Sequence, residues 1–270
     1  MSQALIDRWT TFISKVSDRL DAIIAEAGPG LLAVGRAHPD DPLPLGNAIT
    51  GLDHRVGQLA TKLSDTWDDS VEPKFDAAGP SAWETGRRML EDAQLEQAHR
   101  WQKAKAGWLT TLADEGKLRA EAAEAEPVPC RQCGAPLALP TRRKSVSQPC
   151  AACGSVNQVS PSAPIRAYYG ALVQHAAEAV ALPHRQAVER FRLEVERRGR
   201  ANDHAHEGLE SLERWRELER AVYRAQAGEV ARRTGEPVDE VWIDGRMGHF
   251  MKWNHDRDQF WVRAHGKGSR

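Results

Sequence analysis

The stretch PCRQCGAPLALPTRRKSVSQPCAACG, residues 129–154, holds all four cysteines of a 270-residue chain. They form two CxxC pairs, Cys130/Cys133 and Cys150/Cys153, with 16 residues between the pairs. A CxxC turn presents two sulfurs to one ion. The glycine after each second cysteine, Gly134 and Gly154, lets backbone amides turn toward the sulfurs without a Cβ clash. Two such turns supply four soft donors, the number that a closed tetrahedral Zn²⁺ site needs. A thioredoxin-like redox pair expects a single CxxC beside a βαβ pattern, which is not visible here. Iron is the other candidate occupant, since four cysteines bind iron or an iron–sulfur centre as well.

The paired knuckles of residues 127–158 resemble the zinc-ribbon family, in which one zinc is held between two CxxCG-like turns on a small β-sheet. The resemblance implies that LALP (137–140) and SVSQP (145–149) are the strands. Between the cysteines stand Arg131-Gln132 and Ala151-Ala152, with Pro129 and Pro149 ahead of the pairs rather than proline inside them, which leaves the subfamily open. A segment this short cannot bury enough apolar surface to fold alone. Structural zinc contributes an apparent 10–16 kcal/mol or so in finger peptides, so the metal is expected to act as its core.

Helical periodicity flanks the module on both sides. Leu5, Trp9, Phe12, Val16, Leu20 and Ile23 step by threes and fours, predicting a helix over about 3–27 that Gly28, Pro29 and Gly30 end. AHPDDPLPLG (37–46) reads as a loop. Ile49, Leu52, Val56, Leu59 and Leu63 form a coiled-coil-like seam in a helix over about 47–70. DAAGP (76–80) breaks the chain, and Ser81 with Glu84 fits a capping box opening a long helix over about 81–123. Beyond the cysteines, Ile165, Tyr169, Leu172, Ala176 and Val180 resume the pattern, and Pro183 is expected to kink the helix or start another. Leu212, Trp215, Leu218, Val222 and Val230 mark a last helix, closed near Thr234-Gly235. The aromatic tail, with VWID, HFMKWN and QFWVRA, reads as a hairpin or meander.

The fold expected is mainly α: an elongated helical bundle or coiled-coil hairpin, an inserted four-cysteine zinc ribbon and a short β-rich C-terminal tail. Its parts are N-terminal helices in 1–126, the ribbon in 127–160, C-terminal helices in 161–235 and the tail in 236–270. Because the ends of a ribbon lie close together, the helices before and after it should leave side by side and antiparallel.

Charge and motifs narrow the function. Lys and Arg number 37 against 38 Asp and Glu, which excludes a generally polycationic coat for nucleic acid. Locally, Arg131, Arg142, Arg143 and Lys144 lie in a segment without acids and are candidate phosphate contacts, whereas a solvated turn is the plainer reading. No aromatic lies there to stack on a base. The cluster Asp203, His204, His206 and Glu207 reads as polar loop more readily than as a second metal site. His249, His255 and His265 read as surface or core histidines, and the tryptophans as packing. The P-loop, dinucleotide, nucleophile-elbow and HExxH motifs do not occur, so no catalytic residue is assigned. No apolar run approaches the roughly 18–20 residues of a membrane span. The expectation is a cytoplasmic, zinc-stabilised scaffold or adaptor that binds a protein partner or a second copy of itself, with nucleic-acid binding through the basic ribbon turn as the alternative.

Overall fold

The computed structural model describes residues 3–201, 209–250 and 252. Asp203, His204, His206, Glu207, His255, His265 and the QFWVRA segment lie outside the described residues. The chain divides into two units, Met1–Ala179 and Val180–Arg270. Helices dominate both.

The first unit is built on three long helices: α1 (Gln3–Ala37), α2 (Pro42–Thr66) and α4 (Pro80–Ala125). Trp9 of α1 donates its indole N–H to the Gly86 carbonyl of α4. Farther along, Gly28 meets Trp108 and Gly35 meets Leu112, so α1 and α4 run parallel. Packed against both, α2 runs the other way, with Ser64 bonded to Gln94 and Asp53 bonded to Trp101 and Lys105. Trp9, Val16, Leu63, Trp67, Phe75, Ala82 and Leu90 form the core at one end of this bundle.

Several helix boundaries depart from expectation. The Gly28-Pro29-Gly30 run does not stop α1, which continues to Ala37. Pro29 is exposed, so the carbonyl it leaves without an amide partner lies on the solvent side. Gly28 serves contact instead, since a Cβ there would stand 2.8 Å from the Trp108 indole nitrogen. The AHPDDPLPLG loop is shorter than it reads, because Pro42 and Pro44 occupy the first turn of α2, where an amide has no helical partner anyway. Asp41 caps that turn by accepting from the Leu43 amide. The Ser81/Glu84 capping box does not form: α4 starts at Pro80 behind Gly79, whose φ of +102° only glycine adopts readily, and no side chain caps it. The helix expected over 47–70 passes through a π-helical turn, Trp67–Val71, into a short α3, Glu72–Ala77. The π turn carries the fully buried Trp67 against Phe75 and α4.

After α4 come the cysteine segment with its two strands, β1 (Val146–Pro149) and β2 (Val156–Val159), then α5 (Ala163–Ala167), a π turn (Tyr168–Leu172) and α6 (Val173–Ala201). Gly116 of α4 faces Leu172 and Glu124 lies near Tyr169. Residues later in one arm thus meet residues earlier in the other, and the arms flanking the cysteines are antiparallel.

In the second unit α6 runs on through Pro183 without ending, and Ala181, Val188 and Val222 form a cluster with Trp215 of α7 (Leu209–Thr234). Gly235, at φ +72°, donates its amide to the Ala231 carbonyl and closes α7. The tail expected as a hairpin is helical over residues 240–250. Ile243, Met247 and Phe250 fall at helical steps of four and three, and they pack on Ala227 and Tyr223 of α7. Asp239 opens this helix, its carboxylate accepting from the Trp242 amide. Arg224–Glu240 and Arg220–Asp244 pairs set it antiparallel to α7. The aromatic and branched residues suited a strand by composition, but the helical apolar stripe had a partner face on α7, and burial of that stripe decided the outcome. No helix among the described residues is long and apolar enough to cross a membrane.

Candidate metal centre

Each cysteine pair sits at the tip of a short antiparallel pairing. In the first, Pro129 bridges Pro136 and the Leu137 amide donates to the Val128 carbonyl. In the second, β1 pairs with β2 in the register Val146↔Val159 to Pro149↔Val156. The two turns repeat the same hydrogen bonds. Cys130 N donates to Ala135 O at 2.7 Å and Gly134 N to Cys130 O at 2.9 Å, while Cys150 N donates to Ser155 O and Gly154 N to Cys150 O, both at 2.8 Å. Both turns close through a glycine at positive φ, +77° at Gly134 and +74° at Gly154. The strand pairing corrects one expectation. SVSQP supplies β1, but LALP is not a strand, and the partner of β1 is VNQV after the second knuckle. A CxxCG turn reverses the chain, so the segment leaving a knuckle pairs with the one entering it.

The turns bring the four sulfurs within 4.8 Å of one another. Cys130 and Cys150 are buried, Cys133 and Cys153 exposed, and none is in a disulfide. Across the site Cys130 and Cys153 are 3.7 Å apart and Cys133 and Cys150 3.6 Å. A tetrahedron of metal–sulfur bonds about 2.3 Å long has edges of about 3.8 Å, so the donor set fits a tetrahedral ion. Four cysteines are positioned to hold one metal ion.

Electrostatics favours a cation at the same point. The Ser155 hydroxyl lies 3.2 Å from the Cys130 sulfur and 3.1 Å from that of Cys153. That hydroxyl first, and then the Cys133 backbone amide, draws the Cys130 thiol down to about 5; the Ser155 hydroxyl lowers Cys153 as well. The Ala135 amide favours a thiolate at Cys133 too, but the Cys153 and Cys150 sulfurs outweigh it and push that thiol up to about 12. Four adjacent sulfurs cannot all carry negative charge alone. A divalent cation among them removes that conflict.

A supporting layer escaped the sequence reading. Asn157, buried on β2, accepts from the Arg131 amide at 2.9 Å and turns its own amide toward the Cys130 sulfur and the Ser155 carbonyl. It thereby ties the first knuckle to the strand that follows the second. Ser155 and Asn157 stand two and four residues after Cys153, whereas Ala135 and Leu137 hold the matching places after Cys133. Polar residues there were the available signal.

The four basic candidates separate into two groups. Arg143 pairs with Glu124 of α4 at 2.7 Å and lays its guanidinium 4.3 Å from the Tyr169 ring centroid. Arg142 donates to the Glu126 carbonyl at the end of α4. These two fasten the inter-knuckle turn to the helices on either side. Arg131 and Lys144 are exposed. His249, on the helical segment 240–250, is exposed too. No protein-family model, curated protein or solved structure matches this chain.

Proposed function

We propose that this chain is a non-catalytic helical scaffold or adaptor for protein–protein contact, stabilised by a structural Zn²⁺ that Cys130, Cys133, Cys150 and Cys153 hold in a zinc-ribbon module. The observation that carries the reading is the arrangement of four thiols around one point, with no histidine, aspartate or glutamate joining them among the described residues. A catalytic zinc keeps an open position for water, and a structural one closes it. The loop between the knuckles is committed to the same end, since Arg143 reaches Glu124 and Tyr169 on opposite arms. The role of the metal is then to fix where α4 ends and the next helical arm begins.

The nucleic-acid reading draws on the same loop and has less to work with. Arg142 and Arg143 are already bonded within the chain, which leaves the exposed Arg131 and Lys144 to meet phosphates. The experiment that tests the scaffold is recovery of partners from the native cell on the metal-loaded chain and on a Cys130→Ser/Cys150→Ser chain. Protein partners, or a second copy of the chain, retained by the first and lost from the second support the proposal. Retention of nucleic acid that weakens steeply with salt, and that Arg131→Ala/Lys144→Ala abolishes, would replace it with the alternative.

A further inference from the structure

A groove of about 270 Å³ opens beside the cysteine module. Its lining includes the consecutive residues 157–160, in β2 and just beyond it, and Val128, Pro129 and Arg131 around the start of the first knuckle. Leu137 and Arg142 reach it as well.

The strand register decides which way the β2 backbone points. Cys150 N donates to Ser155 O, and outward from a bonded pair of this kind antiparallel pairs alternate. Gln148↔Asn157 and Val146↔Val159 are then the bonded pairs, and Pro149↔Val156 and Ser147↔Gln158 the unbonded ones. Pro149, which has no amide to give, stands where none is needed. Gln158 therefore turns its amide and carbonyl away from β1, and neither meets another backbone group among the described residues. A free strand edge of this kind is a template for a further strand.

The charge beside that edge is of one sign. Arg131 and Arg142 line the groove and no acid does. Arg131 is exposed, and Arg142 gives an N–H to the Glu126 carbonyl, a neutral acceptor that holds the guanidinium in place and leaves its charge unmatched. Among the described residues no carboxylate lies within ion-pair distance of either. Val128, Pro129, Leu137 and Val159 supply apolar wall between them.

We infer that this groove is the docking site for an extended acidic segment of a protein partner, which pairs with the Gln158 edge of β2 and sets its carboxylates on Arg131 and Arg142. A segment alternating acidic and apolar residues matches both the cations and the apolar wall. A nucleic acid matches neither the strand edge nor that wall, and no aromatic side chain lines the groove to stack on a base. A second copy of the module does not supply the segment, since residues 127–160 contain no Asp or Glu. The inference rests on the reading of this chain as an adaptor for protein partners and gives that reading a docking surface.

The test is titration of the full-length, zinc-loaded, ¹⁵N-labelled chain with a short capped peptide of alternating glutamate and valine. Amide resonances of Val128, Gln158 and Ser160 are expected to shift. Replacing the peptide's glutamates by lysine, or methylating its backbone nitrogens, should each weaken binding at least about tenfold. Arg131→Gln/Arg142→Gln should weaken it by as much. Gln158→Pro removes the edge amide and keeps both arginines; it should have the same effect, and it serves if the arginine variant does not fold. Equal binding of the lysine or methylated peptide, undiminished binding by a zinc-loaded variant, no shifts at millimolar peptide, or tighter binding of a DNA or RNA oligonucleotide at the same resonances would overturn the inference. Failure of the groove leaves recovery of partners by the metal-loaded chain unchanged, whereas failure of the adaptor reading shows as no partner recovered, whatever the peptide does.

Discussion

Arg143 is the residue through which the cysteine module grips both helical arms, and its replacement by alanine is the sharpest local test of that attachment. With it go the 2.7 Å ion pair to Glu124 and the stacking over Tyr169 at 4.3 Å. Arg143 and Glu124 keep 31% and 22% of their side-chain surface exposed, so water screens the pair, and it contributes no more than about 1 kcal/mol. Stacking on a partly exposed ring adds about 0.5–1 kcal/mol. The total loss expected from Arg143→Ala is therefore about 0.5–2 kcal/mol. The informative quantity is the coupling rather than the total. A double-mutant cycle of Arg143→Ala with Tyr169→Leu, read by urea unfolding, should give about 0.5–1 kcal/mol in the metal-loaded protein. After chelation the coupling should fall to zero, because the turn that carries Arg143 has no core of its own without an ion. A coupling near zero in the loaded protein, or one that survives chelation unchanged, would refute the attachment as described.

Other perturbations follow from particular contacts. Gly86→Ala and Gly107→Ala share one helix but should differ in sign: a Cβ at Gly86 meets the buried Trp67 and Phe75 rings at 2.7 and 2.8 Å, while Gly107 faces open space. Thermal melts should show the first destabilised by about 1–2 kcal/mol and the second stabilised by about 0.5–1 kcal/mol; stabilisation by both would mean that the π turn does not pack there. Asn157→Ala removes the bond to the Arg131 amide and the contact with the Cys130 sulfur, and competition with a chromophoric chelator should record metal affinity lower by about 10–100-fold. Unchanged affinity would show Asn157 to be structural only. In the second unit, Glu229 is held below its usual carboxylate range, first by its bonds to Arg232 and also by Arg233. Its contribution is therefore full above that range and is lost as pH falls through the depressed value. Glu229→Gln should cost about 3 kcal/mol at neutral pH and progressively less in acid, and a cost independent of pH would contradict the pairing.

The helical body was legible because its apolar residues recur at three and four, and Trp9, Val16 and Leu63 all lie in the core they suggest. What misled was punctuation. Gly28-Pro29-Gly30 reads as a stop, yet the glycine serves a close crossing by Trp108 and the proline faces water; neither fact is present in one helix considered alone. Pro42 and Pro44 read as loop because a first turn and a loop tolerate proline for the same reason, the lack of need for an amide. The tail misled through composition, since Trp242, Ile243, Met247 and Phe250 suit a strand until α7 offers them a face.

The candidate site divides in the same way. Spacing alone picked out all four cysteines, because the CxxCG turn is a local structure whose sulfurs converge wherever two such turns meet. Ser155 and Asn157 showed only as polar residues behind the second knuckle and Tyr169 only as a helix position, and the roles of all three and of Glu124 depend on which strand pairs with which and on where α4 ends. The basic residues of the turn were visible as charge, but charge does not tell an arginine that binds phosphate from one bonded to its own helices.

Metal content and X-ray absorption at the zinc edge, measured on the purified full-length protein, test the central claim most directly. The result predicted is one zinc per chain with four sulfur neighbours at about 2.3 Å. Protein without bound metal, iron in place of zinc, or a shell containing nitrogen or oxygen donors would contradict it.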